Sequence, residues 1–164
     1  MTSRITGLCA AIALAAGLAG CAASSDDSRP MATTAVSGIV AAKSVYGMAE
    51  TVTRLKQDIA AKGLMFFNEI DQAKLAKDAG IAARPSTLLL FGNPALGTQF
   101  ITSNPQSGID WPVRLLVFQD ASGQVWTEYT DFAYIQARHG IEDRGAQFQK
   151  ASEVIASITS SVAQ

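Results

Sequence analysis

The sequence predicts an α+β domain with a mostly antiparallel or mixed sheet of about five strands backed by helices. Three observations carry that prediction. Residues 113–119 and 124–130 are strand-like runs joined by Asp120-Ala121-Ser122-Gly123, a hairpin turn in which Gly123 supplies a positive φ. Residues 48–59 and 148–162 repeat their apolar positions at helical spacing. Strands and helices interleave without any internal repeat, which places the chain outside the all-α and all-β classes.

Taken in order, residues 39–44 suit a first strand. Met48, Val52, Leu55 and Ile59 then recur at spacings of four, three and four, with Gly47 as a cap, Glu50 in the first turn and Lys62-Gly63 at the end. Residues 64–70 form a second strand, in which Leu64, Phe66 and Ile70 share a face that Asn68 interrupts. Residues 71–79 read as a short helix capped by Asp71 and closed by Gly80. Residues 86–91 are aliphatic without alternation, which predicts a central strand covered on both faces. Asn93-Pro94 starts a helix that runs to about Ser103, because proline lacks only a donor that the first turn leaves unpaired. Residues 104–112 are a loop that delivers the chain into the hairpin. Asp131 caps a helix ending at Arg138-His139-Gly140, and a last helix places Phe148, Ala151, Ile155, Ile158 and Val162 on one stripe that covers the sheet.

Ahead of this domain lies an export pattern. Arg4 precedes an uncharged run of 14 residues from Ile5 to Leu18, shorter than the roughly 20 that span a bilayer and suited to the apolar region of a leader. The run closes in Leu18-Ala19-Gly20-Cys21, which resembles the lipobox of bacterial lipoproteins. That resemblance implies removal of residues 1–20 and a diacylglycerol thioether on Cys21, and Ala22 in the next position implies the outer membrane. The partner so implied is a membrane, held through the lipid, at its periplasmic face. An ordinary leader cut after Ala23, leaving a soluble protein, is the competing reading. Residues 21–34 are rich in Ala, Ser, Asp and Thr with neither period, the composition of a flexible tether, and residues 35–164 are the folded domain.

Composition narrows the chemistry. The chain has 13 bases against 14 acids, and removal of Arg4 takes the net charge from −1 to −2. Nucleic-acid binding, which needs a basic surplus to displace counterions, is not expected. Its two cysteines are Cys9, inside the leader, and Cys21, so the domain is expected to have no disulfide, no thiolate metal site and no cysteine nucleophile.

Several segments then resemble one family together: Glu50-Thr51 with Arg54-Leu55, Lys62-Gly63-Leu64, Ile70-Asp71, Arg84-Pro85, Phe91-Gly92-Asn93-Pro94, and Asp110-Trp111-Pro112 before Leu115-Leu116-Val117. Their order and spacing are similar to the bacterial family catalogued as domain of unknown function 302, over residues 38–158. The resemblance implies a compact TBP-like fold, a curved, mostly antiparallel sheet backed by helices, and no established activity. Gln72 and Trp111 depart from the family pattern, where many members carry His and Leu.

His139 is the single histidine, so any Ser-His-Asp or multi-histidine metal arrangement must use it. No Gly-x-Ser-x-Gly motif accompanies it, and its place at a helix C-terminus beside Arg138 has a structural explanation in the backbone dipole. A copper site from Met48, Met65 and His139 is weaker than core packing for Met48, which lies on the apolar stripe. No metal or other cofactor is expected. Residues 92–98 hold two glycines at a helix start but lack the lysine of a phosphate loop. Carboxylate pairs can be drawn from Glu69, Asp71 and Asp110, without a separation that sequence can fix.

Asp71, Arg84, Asn93, Asp110 and His139 remain as candidate ligand-binding residues, each with a structural alternative: caps for Asp71 and Asn93, a loop-holding ion pair for Arg84. The resulting expectation is a lipid-anchored, non-catalytic binding or interaction module that uses the sheet concavity or the loop 104–112, where Trp111 supplies apolar contact area. The alternative is a small ligand carrier or enzyme whose five polar residues converge on one pocket, and a third is a structural envelope protein.

Overall fold

The computed structural model describes residues 38–163, so the leader, the lipidation site at Cys21 and the tether lie outside the described residues. Five strands and five helices follow in the order β1 (Ile39–Lys43), α1 (Met48–Ala61), β2 (Met65–Asp71), α2 (Gln72–Asp78), β3 (Ser86–Gly92), α3 (Pro94–Ser103), β4 (Val113–Gln119), β5 (Val125–Thr130), α4 (Phe132–Arg138) and α5 (Gly145–Ser160). The sheet order is β1-β5-β4-β3-β2 and every pairing is antiparallel. This is the α+β architecture expected, with the mixed-sheet option excluded.

The local chemistry accounts for most element boundaries. Asp71, Asn93 and Asp131 each accept a backbone N–H, from Lys74, Leu96 and Ala133 respectively, and so satisfy donors that the first helical turn leaves open. Gly123 takes φ +86° in the hairpin, where Asp120 accepts from the Ser122 and Gln124 amides. Leu55 and Ile59 of α1 meet Ile155 and Ile158 of α5 over Leu89, Leu115 and Val117, all buried in one core. Burial of each such side chain contributes about 2 kcal/mol.

Three expectations are corrected. β3 lies inside the sheet beside the central β4, but Thr87, Leu89 and Phe91 on one face are buried, while Ser86, Leu88 and Leu90 on the other are half-buried. Its aliphatic run therefore reflects one covered face and one partly open face.

Nor do Phe66 and Ile70 share a face. A bulge shifts the β2–β3 register between Phe66 and Asn68, so that Phe66 lies opposite buried Phe91 and Ile70 opposite Leu88. Phe67, which the register skips, is the extra residue.

Lastly, the loop 104–112 contains a 3₁₀ helix over Pro105–Asp110, because Asn104 caps it by accepting from Gln106 N and Pro105 pre-sets its first φ.

Candidate functional site

Strand register decides which candidates can meet. Asp71 lies opposite Thr87 at the start of β3, and Arg84 precedes that strand by two residues. Asn93 follows the other end of β3, where Phe91 faces Val113, and Asp110 stands three residues before Val113. Seven residues of strand separate the two groups by roughly 20 Å. The five polar residues therefore do not converge on one pocket, and that version of the carrier or enzyme reading is corrected. Asp71 is occupied as a cap. Arg84 is exposed and has no carboxylate partner among the described residues, so it does not hold the loop as an ion pair.

Asp110 and His139 do meet. The Asp110 side chain is 3% exposed, and its Oδ2 lies 2.7 Å from His139 Nε2. A carboxylate oxygen only accepts, so the imidazole donates. Oδ1 accepts from Arg114 at 2.8 Å and from Arg138 at 3.3 Å. Asn104 Nδ2 donates to the His139 carbonyl at 2.9 Å. This cluster ties the 3₁₀ segment to the end of α4 and the start of β4. Its carboxylate stands one residue before Trp111 in the chain.

Trp111, joined to Pro112 by a cis peptide, lies against Gly92 and Gly97. A Cβ on Gly97 would fall 1.8 Å from the indole nitrogen, and one on Gly92 3.4 Å from it, so the ring occupies space that only glycine leaves open at position 97. Phe67 meets the same indole edge-on, with ring centroids 5.3 Å apart. The β2 bulge thus has a consequence: its extra residue braces the tryptophan.

Beside the indole is a cavity of about 100 Å³ between the end of β3 and helices α3, α4 and α5. Phe91, Leu96, Phe100, Phe132, Val154 and Ile155 supply its apolar surface. Three polar groups also line it, Asn93, Lys150 and the Trp111 indole, and no acidic residue does. Asn93 and Lys150 are exposed and so belong to its mouth. Asn93 Oδ1 is taken by the Leu96 amide, which leaves its Nδ2 hydrogens as donors. Trp126 donates its indole N–H to Asp120 at 2.8 Å, whereas that of Trp111 has no acceptor among the described residues.

Of the expected site residues, then, Asn93 lines the cavity, Asp110 and His139 pair with each other outside its lining, and Asp71 and Arg84 stand at the other end of the sheet. Sequence reasoning missed Lys150 and Arg114, and it read Gly97 only as part of a glycine pair at a helix start and Arg138 only as a partner of the helix dipole. The pair Gly92 and Gly97 around Asn93-Pro94, followed by a tryptophan in the next loop, is the pattern that points to a seated aromatic ring. No group of three or more His, Cys, Asp or Glu residues able to hold a metal occurs among the described residues. No helix among them is long and apolar enough to cross a membrane.

Comparison with known proteins matches residues 40–163 to the family model described as domain of unknown function DUF302. In the fold, the chain is similar to the crystal structure of an uncharacterized conserved DUF302 protein from Bacillus stearothermophilus, with a TM-score of 0.70 and 16% identity, covering 77% of this chain and 98% of that one. Among curated proteins it is 36% identical over 112 residues to the fluoride-specific ion channel FluC 1 of Brucella suis biovar 1, which spans 68% of this chain and 44% of that protein. Fluoride-specific ion channel FluC 2 of Brucella melitensis matches to the same identity over 42% of its length. The chain thus spans less than half the length of these curated relatives.

Proposed function

The chain belongs to the family of domain of unknown function DUF302, over residues 40–163, and from that premise we propose that it is a lipid-anchored binding module of the bacterial cell envelope. It is held through Cys21 at the periplasmic face of the outer membrane and takes a small molecule into the cavity beside Trp111. The observation that carries the reading is the seating of that indole on two glycines at the wall of an apolar cavity. A tryptophan seated on Gly97 and braced edge-on by Phe67 is preorganised, which lowers the ordering cost of binding.

The cavity favours non-catalytic binding. Its lining has no carboxylate, histidine, serine or cysteine, and its one lysine, Lys150, is exposed at the mouth, so no nucleophile there is paired with a general base. His139 itself is engaged with Asp110. The setting at a membrane also agrees with the Brucella relatives, which are named as ion channels and therefore work in membranes.

The test is a titration of the purified protein with small apolar compounds, followed by the two indole N–H resonances. The Trp111 resonance is expected to move in a saturable way while that of Trp126 stays in place. Val154→Phe, which fills the cavity from α5, is expected to abolish the response without lowering the melting temperature. A Trp111 resonance indifferent to every compound defeats the proposal.

A further inference from the structure

The polar lining of the cavity is one-sided, and this selects a class of ligand. Lys150 Nζ, Asn93 Nδ2 and Trp111 Nε1 are donors, and the one side-chain acceptor along the lining, Asn93 Oδ1, already receives the Leu96 amide. That oxygen keeps one lone pair beyond the cap of α3, so donors outnumber acceptors along the lining. Lys150 has no carboxylate within ion-pair distance among the described residues, unlike Lys56, Lys62 and Lys74, which pair with Glu69, Asp58 and Asp78. A ligand that satisfies these donors must bring acceptors, and the uncompensated ammonium favours a negative charge.

Charge and volume narrow the class further. One lysine and no arginine line the cavity, which matches a single negative charge, whereas a dianion such as a phosphate monoester calls for a second cation. A dry apolar cavity of roughly 150 Å³ accommodates a benzene ring, so the 100 Å³ here takes a ring edge or a chain of a few carbons. Lys150 and Asn93 are exposed, so the head group stays at the mouth and the apolar body points inward.

Resting on the cavity reading above, we propose that the ligand is a small amphiphilic carboxylate, with a short aliphatic or single-ring body under Trp111 and its carboxylate at Lys150 and Asn93. Position in the fold agrees with that chemistry. Ile39 pairs with Thr130, Tyr129 with Leu115 and Phe91 with Val113, so the first described strand starts at the cavity end of the sheet. Gly38 accepts from Asp131 N at that same end. The chain ahead of Gly38 therefore enters the domain at the cavity end of the sheet, and amphiphilic anions are concentrated where water meets lipid.

The experiment compares hexanoate, hexanol, hexylamine and hexyl phosphate by titration of the Trp111 indole resonance, in the wild-type protein and in Lys150→Met, which keeps the aliphatic stem and removes the charge. Hexanoate is expected to bind about tenfold more tightly than hexanol, hexylamine least, and hexyl phosphate no more tightly than hexanoate. Lys150→Met is expected to remove the tenfold advantage and leave hexanol unchanged. Added salt should weaken hexanoate and hexyl phosphate but not hexanol. Equal affinity for hexanoate and hexanol, a Lys150→Met protein that keeps the preference, or a clear preference for hexyl phosphate overturns the carboxylate assignment while the binding-module reading stands. Absence of binding by all four, together with silence across the wider set of apolar compounds, overturns both.

Discussion

Asp110 combines burial with charge in a way that assigns it a role. Its carboxylate is withdrawn from solvent to 3% exposure, and one oxygen meets His139 while the other meets Arg114 and Arg138. The two arginines are nearly half exposed, and such pairs contribute little once screened by water. The buried contact to His139 is therefore the larger part, and the three donors converge on a residue adjacent in sequence to Trp111. Asp110→Asn keeps the shape but turns one acceptor into a donor facing other donors. It is expected to lower stability by about 2 kcal/mol in chemical denaturation and to shift the Trp111 indole resonance, while the far-UV spectrum stays unchanged. If the variant leaves that resonance in place, Asp110 does not position the indole.

Among the elements, the β4–β5 hairpin is the one whose turn the sequence states most completely. The Ser122 hydroxyl and the Trp126 indole donate to Asp120, the Gln124 and Ser122 amides add to them, and together they hold the Asp120 carboxyl down at about 2. A group depressed in the folded state contributes stability that is present above its ordinary value near 3.8 and is lost as the pH falls toward 2. Melting temperature is therefore expected to fall across that interval in the wild-type protein, and Asp120→Asn should melt lower at neutral pH with a flatter acid limb. An unchanged acid limb would remove Asp120 as its source.

The same contrast of local and distant causes explains what could be read in advance. Asp71, Asn93 and Asp131 were legible as caps because each acts within four residues of itself. The bulge at Phe67 was not, since it answers to Trp111, 44 positions away and across the sheet. The cavity shared that fate, being assembled from β3, three helices and a loop. Of the five residues expected to bind, strand register alone separated Asp71 and Arg84 from the others, and register is not written in any single segment.

At the scale of the whole molecule, one end of the sheet gathers the start of β1, the mouth of the cavity and the Asp110 cluster, while the opposite end carries the hairpin turn and α2. The chain ahead of Gly38 therefore enters the domain at the cavity end of the sheet. Acylation supplies the strength: each buried methylene contributes about 0.8 kcal/mol, so two or more acyl chains hold a protein that one would release. The sequence up to Leu18-Ala19-Gly20-Cys21 and the competing cut after Ala23 make different products. Intact-mass analysis of the native protein separates them: acylation predicts an N-terminal Cys21 bearing lipid, whereas the ordinary cut predicts a chain that starts at Ser24 and has no cysteine. Cys21→Ser is expected to move the protein out of the lipidated membrane fraction and to leave the leader uncleaved, with the indole resonances of the domain unaltered. A native protein with an unmodified thiol at Cys21, or one starting at Ser24, would leave the cavity chemistry intact but detach it from the membrane.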